Sequence, residues 1–105
     1  MNQELPKFLQ KVIGRYPQVW NRYDGLKEEI GSIDALDART QSLVKLAIAI
    51  GAGREGAVHS HTRRCKRDGV STEEMFQTAL LAVTTIGWSG AMAALSWIND
   101  VVDEL

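Results

Sequence analysis

Apolar residues recur along this chain mainly at three- and four-residue intervals, the spacing of helices with one buried face. In residues 5–15, Leu5, Phe8, Leu9, Val12 and Ile13 form one stripe, and Pro6 sits in the first turn, where no backbone donor is needed from it. Residues 17–30 carry a second stripe of Val19, Trp20, Tyr23, Leu26 and Ile30, opened by Pro17, with Gly31 as the expected stop. Residues 39–50 form a third helix behind Asp37, a good N-cap residue. Its run Leu43-Val-Lys-Leu-Ala-Ile-Ala-Ile50 is apolar almost all round. A strand competes there, but Ala47, Ala49 and the length select a helix, and Gly51-Ala-Gly53 breaks it.

A fourth helix spans residues 55–67 and closes at Asp68-Gly69, with Gly69 at the expected left-handed position. Ser71-Thr-Glu-Glu74 reads as a capping box opening a fifth helix over residues 72–86. Gly87-Trp-Ser-Gly90 is the expected turn, and a sixth helix covers residues 91–103. The expected fold is therefore all-α: one domain over residues 1–105, a bundle of about six helices without a sheet. The third, fifth and sixth helices are apolar on more than one face and need cover on several sides. A chain this short has too few elements to supply it, so a homo-oligomer is expected, with Trp88 and Trp97 as interface anchors.

Composition narrows the partners. Twelve basic and 13 acidic residues leave a net charge of −1, which gives no general attraction to nucleic acid or to an anionic membrane. One cysteine, Cys65, excludes an internal disulfide and fits a reducing compartment. The opening Met-Asn-Gln-Glu-Leu-Pro has neither the basic nor the apolar region of a signal peptide, so a cytoplasmic location is expected. Residues 75–98 carry no charge and are long enough to cross a bilayer. Gln77, Thr78, Thr84, Thr85, Ser89 and Ser96 dilute that run, however, and Gly87 and Gly90 divide it, which favours two buried helices over a membrane span.

The candidate chemistry is concentrated in Glu55-Gly-Ala-Val-His-Ser-His61-Thr-Arg-Arg-Cys65, which holds both imidazoles and the only thiol. On a helix, His61 and Cys65 share one face and Glu55 and His59 share another, while His59 and His61 point roughly 200° apart. His61 and Cys65 suit a thiol and its base; Cys65 equally suits a small buried hydrophobe, and His61 a structural hydrogen-bonder. Those two residues offer at most two metal ligands on one face, so no metal site and no cofactor are expected. Arg63, Arg64, Lys66 and Arg67 read either as a solvated face at the helix end or as a grip for a small carboxylate. Lys45, inside the apolar run, is expected to snorkel to the surface.

In order, Asp37-Ala-Arg-Thr-Gln-Ser-Leu-Val-Lys-Leu-Ala-Ile-Ala-Ile50, Glu55-Gly-Ala-Val-His-Ser-His61-Thr-Arg63, Asp68-Gly69-Val70-Ser71-Thr-Glu-Glu74 and Ala79-Leu-Leu-Ala82 resemble the carboxymuconolactone decarboxylase / AhpD-like family over residues 36–95. The resemblance implies an all-helical fold assembling as trimers or hexamers and one of two activities. One branch is a thiol-dependent peroxidase built on Cys-x-x-Cys, an upstream Glu and a His four residues after the second Cys. The other decarboxylates a carboxymuconolactone without that pair. The family's His falls on His61, its two Cys positions on Arg54 and Ala57, and its Glu position on Ser42. With both thiols absent, a dithiol peroxidase mechanism is disfavoured. The resemblance implies instead a lyase-type reaction on a small carboxylated lactone in a pocket between the third and fourth helices. There His61 serves as general acid or base, Arg54 or Arg63 holds the carboxylate, and Glu55 or His59 assists. Two alternatives stay open: a single-cysteine peroxidase (peroxiredoxin-type) using Cys65, and a non-catalytic oligomeric binding protein.

Overall fold

Helices account for every regular element among residues 5–105, which are the residues the computed structural model describes. Residues 1–4, where the signal-peptide reading begins, lie outside them. The order is α1 (Lys7–Arg15), α2 (Pro17–Gly31), α3 (Ala38–Ala52), α4 (Glu55–Arg67), α5 (Thr72–Leu81), α6 (Val83–Ile86) and α7 (Trp88–Val102). They fall into two compact units, the first ending at Ala35 and the second running Leu36–Leu105.

In the first unit Pro17 is the first residue of α2, as its fixed φ suits. Gly31 does not stop α2 by turning left-handed. It is the last helical residue, and Ser32 ends the helix in right-handed geometry, its hydroxyl donating to the Glu29 carbonyl at 2.7 Å. Trp20 and Tyr23 lie one turn apart with ring centroids 5.5 Å apart.

The second unit is defined by its caps. Asp37 accepts the Thr40 N–H at 2.7 Å and starts α3, which continues through Gly51 to a left-handed Gly53 with φ of 67°. Gly69, at φ 86°, follows α4 as expected. The Ser71 hydroxyl accepts the Glu74 N–H at 3.1 Å, and Glu74 takes the Ser71 N–H at 2.8 Å, completing the capping box. The Arg39 guanidinium, from the first turn of α3, grips both oxygens of the same Glu74. One carboxylate thus starts α5 and ties it to α3.

The expected fifth helix is split at Ala82. Thr84 and Thr85 turn their hydroxyls back onto the Leu81 and Ala82 carbonyls, at 3.3 and 3.1 Å, and the β-branched run that follows winds separately as α6. The final turn is also tighter than expected. Gly87 alone makes it, with φ 98° and ψ 167°, so α7 begins at Trp88.

The core of this unit is built from Leu46, Ala49 and Ile50 of α3, Val58 and Cys65 of α4, Met75, Phe76 and Ala79 of α5, and Ala91, Ala94 and Ile98 of α7. Alanines supply much of the α7 face, which lets its backbone approach its neighbours closely. Trp97 packs against this core, whereas Trp88 is 66% exposed. Val44, Ile48, Leu80, Leu81 and Ile86 are exposed as well. No helix among the described residues is long and apolar enough to cross a membrane.

Two outcomes follow from the caps. Gly87 occupies a region of φ,ψ open essentially to glycine, so Gly87→Ala should cost about 1–3 kcal/mol of stability in denaturant titration, although no atom crowds a Cβ there. The Ser71 backbone and Arg39 hold the Glu74 pKa down to about 2 from 4.5. A depressed carboxylate stabilises the fold above its unfolded pKa and loses that contribution as pH falls toward its folded one. Stability should therefore drop between pH 4.5 and 2, and less steeply in Glu74→Gln, as followed by circular dichroism.

Candidate functional site

The second unit presents α4 with one face sealed. Val58, Thr62 and Cys65 have no exposed surface, and their spacing of four and three residues puts them on one line down the helix. Thr62 turns its hydroxyl onto the Val58 carbonyl at 2.7 Å, so it is buried without an unmet donor. At roughly 100° per residue, that sealed line sends His61 and Arg64 to one flank and Glu55, His59 and Arg63 to the other.

On the first flank His61 is half-buried, and its Nδ1 is fully buried with no hydrogen-bond partner. Burial holds the imidazole pKa below its usual value; Arg64 and Lys45 of α3 push it further down. The ring is therefore neutral near pH 7, within electrostatic reach of one cation on its own helix and one on α3. Lys45 and Arg64 are each partly buried. Arg54, the N-cap of α4, is exposed, and so is Arg63, on the flank away from His61.

On the second flank Asp100 of α7 meets His59, with Asp100 Oδ2 2.9 Å from Nε2. The His59 side chain is 24% exposed and that of Asp100 56%. Glu55, the first residue of α4, lies one turn before His59, and the donor atoms of Glu55, His59 and Asp100 all fall within 4.8 Å of one another. Both imidazoles are thus placed, but on different flanks, so Glu55 and His59 do not converge on His61. Asp100 thus brings a carboxylate from another helix to the two donor atoms that α4 supplies.

Cys65 is sealed in the core. Its Sγ donates to the Ser42 carbonyl at 3.4 Å. Burial, then the Asp68 carboxylate, pushes its pKa up to about 11, against a small opposing pull from Arg39. Ser42, at the position of the family's Glu, instead donates its hydroxyl to Asp68. This closes α3 onto the end of α4. The features that activate a thiol are a lowered pKa and solvent access, and Cys65 has neither.

A cavity of about 190 Å³ opens among α3, α5 and α6, lined by Ala47, Ile50, Gly51, Thr78, Leu81, Ala82, Thr85 and Ile86. Its walls are mainly apolar. None of the residues read from the sequence as site candidates lines it, so the pocket expected between α3 and α4 is not this one.

The sequence alone does not bring Asp100 to His59 or Lys45 to His61. Asp100 is 41 residues from His59 and carries no local mark that separates it from other surface carboxylates. Lys45 did stand out, as a charge within an apolar run, and that anomaly was the available signal.

The profile of the carboxymuconolactone decarboxylase family matches residues 17–100. A protein of Acinetobacter baylyi described as 4-carboxymuconolactone decarboxylase is 26% identical over 104 residues, covering 99% of this chain and 68% of that protein. No solved structure matches the chain.

With a pKa of about 11, on the order of one Cys65 in a thousand is a thiolate at pH 8. Alkylation of the native protein by iodoacetamide should therefore be far slower than that of free cysteine, and should reach the free-cysteine rate in denaturant.

Proposed function

Because the chain belongs to the carboxymuconolactone decarboxylase family, we propose that it acts on a small carboxylated lactone at His61, on the flank shared by α3 and α4. The observation that carries this reading is the buried, unpartnered Nδ1 of His61 beside Lys45 and Arg64. A buried polar atom without a partner costs stability, and a bound ligand is one way to supply the missing contact. Two cations beside it select an anion. Lys45 and Arg64 hold the carboxylate, in place of the exposed Arg54 and Arg63.

Decarboxylation breaks the bond to the carboxylate carbon, carbon dioxide leaves, and the electron pair passes to the carbon it departs from. That carbon then takes a proton. In the empty site His61 is neutral. A bound carboxylate offsets the charges of Lys45 and Arg64, lets the imidazole take up a proton, and so provides the acid beside the reacting carbon. A 4-carboxymuconolactone is the first substrate to try, given the relative from Acinetobacter baylyi.

We further propose that the working particle is a homo-oligomer in a reducing compartment. Ile48, Leu80, Leu81 and Trp88 are large apolar side chains left exposed, which supports an oligomer because a partner would cover them; the single cysteine supports the compartment. A peroxidase built on Cys65 has little support, because the thiol is buried and protonated. A binding protein without turnover remains the alternative if His61 proves inert.

His61→Gln should lower kcat/KM by about 10²–10⁴-fold with the helical spectrum unchanged, and Lys45→Ala should chiefly raise KM. Unaltered turnover in His61→Gln would refute the role of the ring. Light scattering should give a mass that is a multiple of one chain, reduced in Ile48→Glu; a monomeric parent protein would remove the oligomer reading.

A further inference from the structure

We propose that Glu55, His59 and Asp100 form a binding site for a zinc-class divalent cation that joins α4 to α7. The three donor atoms already lie within 4.8 Å of one another. Tetrahedral zinc, with bonds of about 2.0–2.2 Å, needs its ligand atoms roughly 3.3–3.6 Å apart, a gap that small side-chain rotations close. The Asp100–His59 pair is tighter than that, at 2.9 Å, so the cation takes the place of the hydrogen bond between them.

The supports of the site favour a cation. Glu55 and His59 are four residues apart on one regular helix, the spacing that turns two side chains toward a common point. The His59 side chain is mostly buried, at 24% exposed, so little rotamer freedom is left to lose on binding. Asp100 sits in the last turn of α7, which ends at Val102; there the helix dipole attracts positive charge. Just before it, the Asn99 side chain accepts the N–H groups of Glu104 and Leu105 at 2.9 and 3.0 Å and fixes that end of the helix. Two carboxylates bring two negative charges, which offset the unfavourable dipole at the start of α4. Arg63, one turn beyond His59 on the same flank, opposes the cation and sets a limit on affinity.

The donor set, one imidazole nitrogen and two carboxylate oxygens, suits zinc and its transition-metal neighbours. Magnesium and calcium prefer all-oxygen sites of higher coordination. Three protein ligands leave a fourth position for water or a small anion. The site lies on the flank of α4 away from His61, so it stands or falls independently of the decarboxylation reading.

The test is a Zn²⁺ titration of the full chain against a chromophoric chelator, after removal of adventitious metal, with melting temperature as a second readout. One Zn²⁺ per chain is expected, with a rise in melting temperature, because an ion that binds only the folded state stabilises it. His59→Ala and Asp100→Asn should each weaken binding at least about tenfold, and Mg²⁺ should not compete. Arg63→Ala should tighten it. His61→Gln and Cys65→Ser should leave it unchanged, whatever they do to turnover. If His59→Ala does not fold, Glu55→Gln, altered at an exposed side chain, is measured instead. No Zn²⁺ binding, or binding that survives loss of His59 and Asp100 or depends on His61 and Cys65, overturns the proposal.

Discussion

The sealed line of Val58, Thr62 and Cys65 fixes everything else about α4. Three side chains with no exposed surface leave the helix no freedom to roll about its axis without exposing apolar atoms or burying a charge. Once that face is set, helical geometry dictates the rest. His61 must lie beside α3, and His59 must lie beside α7. Two imidazoles separated by a single residue are therefore committed to different neighbours, one among cations and one against a carboxylate. The same core that excludes water from Cys65 thereby creates two chemically opposite flanks.

A second constraint keeps those flanks in register. Glu74 completes its own helix cap and accepts both hydrogen bonds of Arg39, so the start of α5 cannot shift without freeing the start of α3. One turn further along α3, Ser42 binds Asp68 at the end of α4 through its hydroxyl and Cys65 through its carbonyl. Both links are polar, and both join residues far apart in sequence. They supply the alignment that an alanine-rich core, with few interlocking side chains, specifies only loosely.

The burial of Cys65 also explains how this member of its family differs from a thiol enzyme. The resemblance to the thiol-dependent branch puts that branch's cysteine positions at Arg54 and Ala57, at the start of α4. Here the only thiol lies two turns further on, in the core, hydrogen-bonded to a carbonyl. A thiol there fills space. The imidazole of His61 lies on the neighbouring flank, where Lys45 and Arg64 give it a basic setting.

Period, caps and breakers made the helices legible from composition and order alone. Asp37, Ser71 with Glu74, and Gly69 act through neighbours a few residues away, and each appears where local chemistry puts it. The misreadings were local too: Gly31 stays helical, the threonine hydroxyls interrupt the helix at Ala82, and Gly87 alone makes the turn before α7. The separation of His59 from His61 was likewise readable, because the angle between them depends only on the pitch of one helix. Which helix each ring would meet was not. Lys45 beside His61, and Asp100 beside His59, come from segments whose approach depends on how whole faces pack, and no short-range pattern in the chain records that.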